Sequence, residues 1–216
     1  MNELSWHYDR TESIADGAIH VVGVLLGLTG ATVLIIVNFW NAEPRVAVAA
    51  SIYALTLVAA LTMSAIYNMW PVNPTKWRLR KYDHAAIFLL IAGTYTPFAL
   101  QMDAAGAWLL TCMWLMAAAG MFLKIFFPGR FDRLTILLYL GVGWSGAFLF
   151  DTMVNSLSPT VLWLILTGGV VYSVGVVFHI WHSLRFQNAI WHGFVLAGAS
   201  IHYSAVFVSV MGTHGV

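Results

Sequence analysis

Seven apolar stretches, joined by short loops whose cationic residues fall on alternate connections, constrain this chain more than any other feature. Residues 17–42, 46–75, 84–102, 104–123, 134–150 and 152–184 contain no Lys, Arg, Asp or Glu, and none occurs after Arg185. Each interval holds roughly the 20 residues needed to cross a hydrocarbon layer. The fifth is short, which favours local thinning of the bilayer or ends that sit close to polar loops. With 60% hydrophobic and 9% charged residues in 216 positions, there is too little polar surface to cover a soluble core. Strict two-residue alternation is absent, which argues against a transmembrane barrel. The expected fold is all-α: a seven-transmembrane helix bundle forming one domain over 1–216. Its helices are expected near 17–40, 46–70, 84–102, 105–127, 134–151, 160–182 and 189–211.

Charge sets the expected orientation. With the amino terminus cytoplasmic, Arg10, Lys76, Arg78, Arg80, Lys81, Lys124, Arg130, Arg133 and Arg185 share the cytosolic side, against Arg45 alone on the other. Lys and Arg in short loops are retained in the cytosol, so the carboxyl terminus is expected outside, in a cell inner or plasma membrane. The first apolar run is too long, and lacks the small-residue site, for a cleaved secretory signal. Cys112 is alone, which excludes an intrachain disulfide and a thiolate metal cluster. Trp40, Trp70, Trp77, Trp108, Trp163, Trp181 and Trp191 fall near helix boundaries, as interfacial anchors do. Gly23, Gly27 and Gly30, like Gly193 and Ala197, have the small-residue spacing that lets helices approach closely in lipid. Pro97 is expected to bend the third helix, with Thr94 or Thr96 helping to satisfy the released backbone group.

The polar residues within the apolar stretches gather at one depth. Ser64 and Asn68 end the second stretch, Asp83 and His84 open the third, and Asn188 and His192 open the seventh. Glu12, Asp16 and His20 open the first. Ser64/Asn68 and Asn188/His192 are i,i+4 pairs, each on one helix face. These groups meet only if helices one, two, three and seven pack together. Asp83 has two readings: a cap at a helix amino terminus, or a member of a pocket. Glu12 and Asp16 are explained nearly as well by an amphipathic opening segment. His7 and His214 read as solvated tails, and His179/His182 as an interfacial helix end or an i,i+3 metal pair. His20, His192 and His202 lie within apolar helices and need partners or a cavity. His202 is ten residues beyond His192, about 15 Å deeper by helical rise. No HExxH motif, glycine-rich phosphate loop or nucleic-acid stripe is present.

Several blocks resemble the bacterial hemolysin III family, related to the progestin and adiponectin Q receptors. They are ESIADGAIHVVG at 12–23, SAIYN at 64–68, YDHAAIFLLIAGTYTPF at 82–98, KIFFPGRF at 124–131, GGVVYSVGVVF at 168–178 and NAIWHGFVLAGASIHY at 188–203. The resemblance implies a seven-helix membrane fold with an inner-side zinc pocket that hydrolyses a lipid amide or ester entering from the bilayer. It carries the zinc-ligand positions onto Asn68, Asn188 and His192, the preceding serine onto Ser64, and the aspartate of helix three onto Asp83. Two of three ligand histidines are therefore asparagine here. A neutral amide is a weaker zinc ligand than imidazole, so zinc is expected to be weakened or absent unless His20 or His202 turns inward. In the catalytic reading Asp83 handles a proton and Ser64 supports the site. The alternative is a non-catalytic, lipid-binding, receptor-like or membrane-homeostasis protein, with a pore or lytic role less supported. Membrane lipids are the expected partners and nucleic acid is not; oligomeric state is open.

Overall fold

The computed structural model describes residues 9–212, apart from the side chains of Asn41 and Arg133. His7 and His214, read as tails, lie outside the described residues. The order is α1 (Arg10–Asn41), α2 (Pro44–Met69), α3 (Pro74–Ala99), α4 (Asp103–Phe126), α5 (Asp132–Trp144), a 3-10 segment (Ser145–Leu149), α6 (Phe150–Ser156), α7 (Pro159–Ile180) and α8 (Gln187–Gly212). No strand occurs among the described residues. Among the described residues, six stretches are long and apolar enough to cross a membrane: Arg10–Trp40, Pro44–Met69, Asp103–Phe126, Leu134–Ser156, Pro159–Ile180 and Gln187–Gly212.

Capping chemistry explains where the helices start. Asp9 and Glu12 form a reciprocal capping box, so α1 begins at Arg10 rather than near 17. The Asn73 side chain accepts the amides of Thr75 and Lys76, and Pro74 occupies the first turn, where its missing N–H costs nothing. As a result α3 starts ten residues before its apolar run. Lys76, Arg78, Arg80 and Lys81 all ride on its opening turns.

The fifth stretch differs more. Instead of one helix over 134–151, α5 gives way to the 3-10 segment and then to α6. Gly141, Gly143 and Gly146 lower helix propensity there, and a side chain from α3 completes the break. The Tyr95 hydroxyl donates to the Gly143 carbonyl at 2.7 Å and accepts the Gly146 amide at 2.9 Å. Backbone groups released in an apolar layer are thus satisfied from a neighbouring helix. At Pro97 the expected rescue is not what the threonines do: Thr94 and Thr96 donate to the carbonyls of Leu90 and Ala92, one turn back from each, and not to the Gly93 carbonyl that loses its partner at Pro97.

The helices pack with α1 against α2 and α8, α2 against α3, α3 against α4, and α7 against α8; α3 and α2 also touch α8. Leu34, Tyr53, Leu57, Val206 and Val210 form one buried cluster, and Phe88, Met102, Met113 and Val142 another. Gly27 leaves the space that Leu61 of α2 fills, and Gly30 offers its carbonyl to the Tyr203 hydroxyl of α8 at 2.8 Å. Leu25, Leu26, Leu55, Leu115 and Trp163 face outward, the inverse of a soluble surface and suited to hydrocarbon contact.

Candidate functional site

At the end of the bundle where α1, α3 and α8 begin and α2 ends, the polar groups converge. Asp16 is the hub. Its Oδ1 accepts from His192 Nδ1 at 2.6 Å, and its Oδ2 accepts from Asn188 Nδ2 at 2.8 Å. His20, one turn along α1, stands with Nε2 3.6 Å from Asp16 Oδ2, and its ring lies 4.3 Å from that of His192. Asp16, His20 and His192 are all buried, and one donor atom from each lies within 4.8 Å of the others. Among the described residues His20 Nε2 has no hydrogen-bond partner, although the residue is only 6% exposed.

The two amides are committed to each other and to this hub. Asn188 Nδ2 also approaches Asn68 Oδ1 at 3.4 Å, and Asn68 Nδ2 donates to the Ser64 carbonyl at 3.0 Å and to Ser64 Oγ at 3.3 Å. Asp83 is buried, with Ser64, His20 and Asp16 among its neighbours. Ser64, Asn68, Asp83, Asn188, His192 and His20 therefore form one neighbourhood. His202 stands apart. Its Nε2 donates to the Ile165 carbonyl at 3.2 Å, and its ring packs beside Tyr172 in the α7–α8 interface. His179, at the end of α7, packs its ring 4.8 Å from Trp191.

Backbone ties hold this end together. Glu12 Oε1 accepts the Phe186 amide at 2.8 Å, fixing the turn before α8 against the start of α1; Phe186 itself sits at φ 59°. Lys76 Nζ donates to the carbonyls of Asn68 at 2.8 Å and Trp70 at 3.0 Å, closing the open end of α2. Between these ties opens a cleft of about 390 Å³ lined by Glu12, Asp16, Asn68, Trp70, Lys76 and Asn188, among others. A separate ionic joint binds α3, α4 and α5: Arg80 and Lys124 each contact Asp132 at 2.7 Å. Partial burial pushes the Asp132 carboxyl up, but the hydrogen bonds and charges of Lys124 and Arg80 outweigh it and hold it at about 2.

Asp16 is the residue that sequence reasoning undervalued. The available signal was its i,i+4 spacing to His20, which matches the spacing of Asn188 to His192 on the partner helix.

The profile of the family described as Haemolysin-III related matches residues 8–203. The chain belongs to the haemolysin-III-related family. Among its relatives, the Hemolysin-3 homolog of Bacillus subtilis is 37% identical over 199 residues, covering 90% of this chain and 92% of the relative. Hemolysin-3 of Bacillus cereus is 33% identical over 204 residues, or 94% and 93% of the two chains. Human Monocyte to macrophage differentiation factor is 28% identical over 170 residues, covering 74% and 69%, and supports the kinship with the progestin and adiponectin Q receptors. Together with the six apolar helices, membership makes this haemolysin-III-related chain a multi-pass membrane protein.

The zinc positions implied by that kinship do not fit the residues present. Asn68 and Asn188 direct their amide N–H groups to Ser64 and to Asp16 and Asn68 respectively, and an amide oxygen is a weaker zinc donor than imidazole, which leaves His192 the only imidazole of the implied three. Asp16, His20 and His192 form a different group whose donor chemistry suits a metal: two ring nitrogens and one carboxylate, with a buried nitrogen lacking a partner.

Proposed function

We propose that this haemolysin-III-related protein is a seven-span bundle with its amino terminus in the cytosol, and that the pocket between α1, α2, α3 and α8 acts on the amide or ester group of a membrane lipid. It would be an altered form of the zinc-dependent hydrolase site that the family resemblance implies. The seventh span is α3, whose 26 residues rise about 39 Å, enough for a hydrocarbon core of about 30 Å. Orientation rests on the cationic loops, which put the pocket in the cytosolic leaflet.

The observation that carries the reading is the gathering of two carboxylates and two imidazoles, all buried, at one end of an otherwise apolar bundle. Such groups are costly in a membrane unless they pair or bind something. A metal held there would supply Lewis-acid polarisation of a carbonyl. The cleft of about 390 Å³ suits a polar lipid group with its chains left in the bilayer. In this reading Asp83 is the carboxylate that takes up a proton, and the neighbouring Ser64 supports it. Asn68 and Asn188 contribute hydrogen bonds to the pocket wall.

The closed amide pair Asn68–Asn188 favours a second reading, in which the pocket binds a lipid headgroup without turnover. Protein reconstituted into vesicles containing N-acyl and O-acyl lipids separates the two, with fatty-acid release followed by mass spectrometry. Release that is lost in Asp83→Asn and His192→Ala supports the hydrolase. Saturable lipid binding without release establishes the second reading.

A further inference from the structure

We propose that Asp16, His20 and His192 are the cation ligands of this chain, binding one divalent transition metal, with Asn188 as a positioning residue that holds Asp16. The assignment deepens the proposed function and rests on it only in taking this pocket as the metal-using one.

Three observations carry the assignment. First, the donors are already close to the right spacing. With metal–ligand bonds of roughly 2.0–2.1 Å, two ligands on a tetrahedral ion lie about 3.3 Å apart. Asp16 Oδ1 and His192 Nδ1 are 2.6 Å apart, and Asp16 Oδ2 and His20 Nε2 are 3.6 Å apart. All three donor atoms lie within 4.8 Å of one another, so side-chain adjustments of about one to two ångströms would admit an ion, with the proton between Nδ1 and Oδ1 giving way to it. Second, His20 Nε2 is buried with no hydrogen-bond partner. A polar nitrogen so placed costs free energy, and a cation between the three side chains would remove that cost. Third, Asn188 Nδ2 holds Asp16 Oδ2 at 2.8 Å. A hydrogen bond on a ligating carboxylate is the kind of outer contact that orients metal ligands.

The ligand set also differs chemically from three imidazoles. Replacing one neutral nitrogen with a carboxylate lowers the net charge of the loaded site by one and hardens it. Two ring nitrogens with one carboxylate leave a coordination position open for a reactant oxygen. Asp16 and His20 lie one helical turn apart on α1, so α1 and α8 suffice to build the site. The amides of α2 and α8 are then wall and support.

The test is titration of the full-length, metal-stripped protein in detergent with Co2+, read by visible absorption. One cobalt per chain is expected. Asp16→Asn and His20→Ala should each weaken uptake by more than about 100-fold, because loss of outer-shell contacts alone costs 10–100-fold. Asn188→Ala should fall within that outer-shell range. Where the alanine variant fails to fold, by gel filtration and circular dichroism, His20→Gln replaces it. Asp16→Cys, made in a Cys112→Ala background, should add a near-ultraviolet thiolate-to-cobalt band that no purely structural role for Asp16 would produce. No uptake by the parent chain, unchanged uptake in the Asp16 and His20 variants, or cobalt bound by Asp16→Cys without that band overturns the assignment. If cobalt uptake survives those variants while lipid turnover persists, the ligands are elsewhere and the hydrolase reading stands. If the variants lose cobalt but the parent releases no fatty acid, the ligand assignment stands and the hydrolase reading falls.

Discussion

Asp132 illustrates how one side chain can govern a joint between helices. It accepts from Arg80 of α3 and from Lys124 of α4 while sitting on the first turn of α5. Its carboxyl is held at about 2, below the ordinary 3.8. A depressed carboxyl contributes stability above its ordinary value and loses it as pH falls through the folded one. The thermal midpoint of the parent chain should therefore exceed that of Asp132→Asn near neutrality. The gap should close between about pH 4 and about pH 2; a gap independent of pH in that range would mean the joint is not ionic. Solvent reaches this carboxylate, so the effect should also shrink with added salt. At the same scale, sequence legibility was uneven. Asn68, Asn188 and His192 stood out because i,i+4 polar pairs are conspicuous in apolar runs. Asp16 did not, since an amphipathic opening segment explains it nearly as well. Its role depends on contact with residues more than 170 positions away, which no local pattern encodes.

Elements here meet through gaps as much as through side chains. Gly93 of α3 lies against Thr56 of α2, and a methyl group at 93 would overlap the threonine hydroxyl. Gly93→Ala should destabilise the protein by about 1–3 kcal/mol, the usual cost of overpacking. Thr56→Ala should recover much of that loss, a non-additivity readable from a double-mutant cycle of unfolding free energies in detergent. The apolar intervals marked the helices well because length and hydrophobicity are what a bilayer demands. They misplaced the start of α3, where capping by Asn73 and Pro74 carries a charged segment into the helix. They also hid the interruption after Trp144. Its stability depends on the Tyr95 hydroxyl of another helix, so the glycines nearby indicate weakness without saying where the helix gives way.

For the whole molecule, the decisive expectation is that the cationic end faces the cytosol. Single cysteines introduced in the Cys112→Ala background at the 76–81 segment should resist an impermeant thiol reagent added to intact cells and react once the membrane is opened. Immediate labelling from outside would invert the bundle and move the pocket to the opposite leaflet. The pocket is also shared unequally among helices. α1 and α8 supply Asp16 and both imidazoles, α3 supplies Asp83, and α2 supplies hydrogen bonds through Ser64 and Asn68. The hydrogen bond between Asp16 and His192 joins helices whose residues leave the ribosome 176 positions apart. Synthesis runs from the amino terminus, so until α8 arrives Asp16 has His20 of its own helix beside it but lacks His192 and Asn188. During that interval the nascent chain carries a polar face on α1 that its final partners have yet to cover.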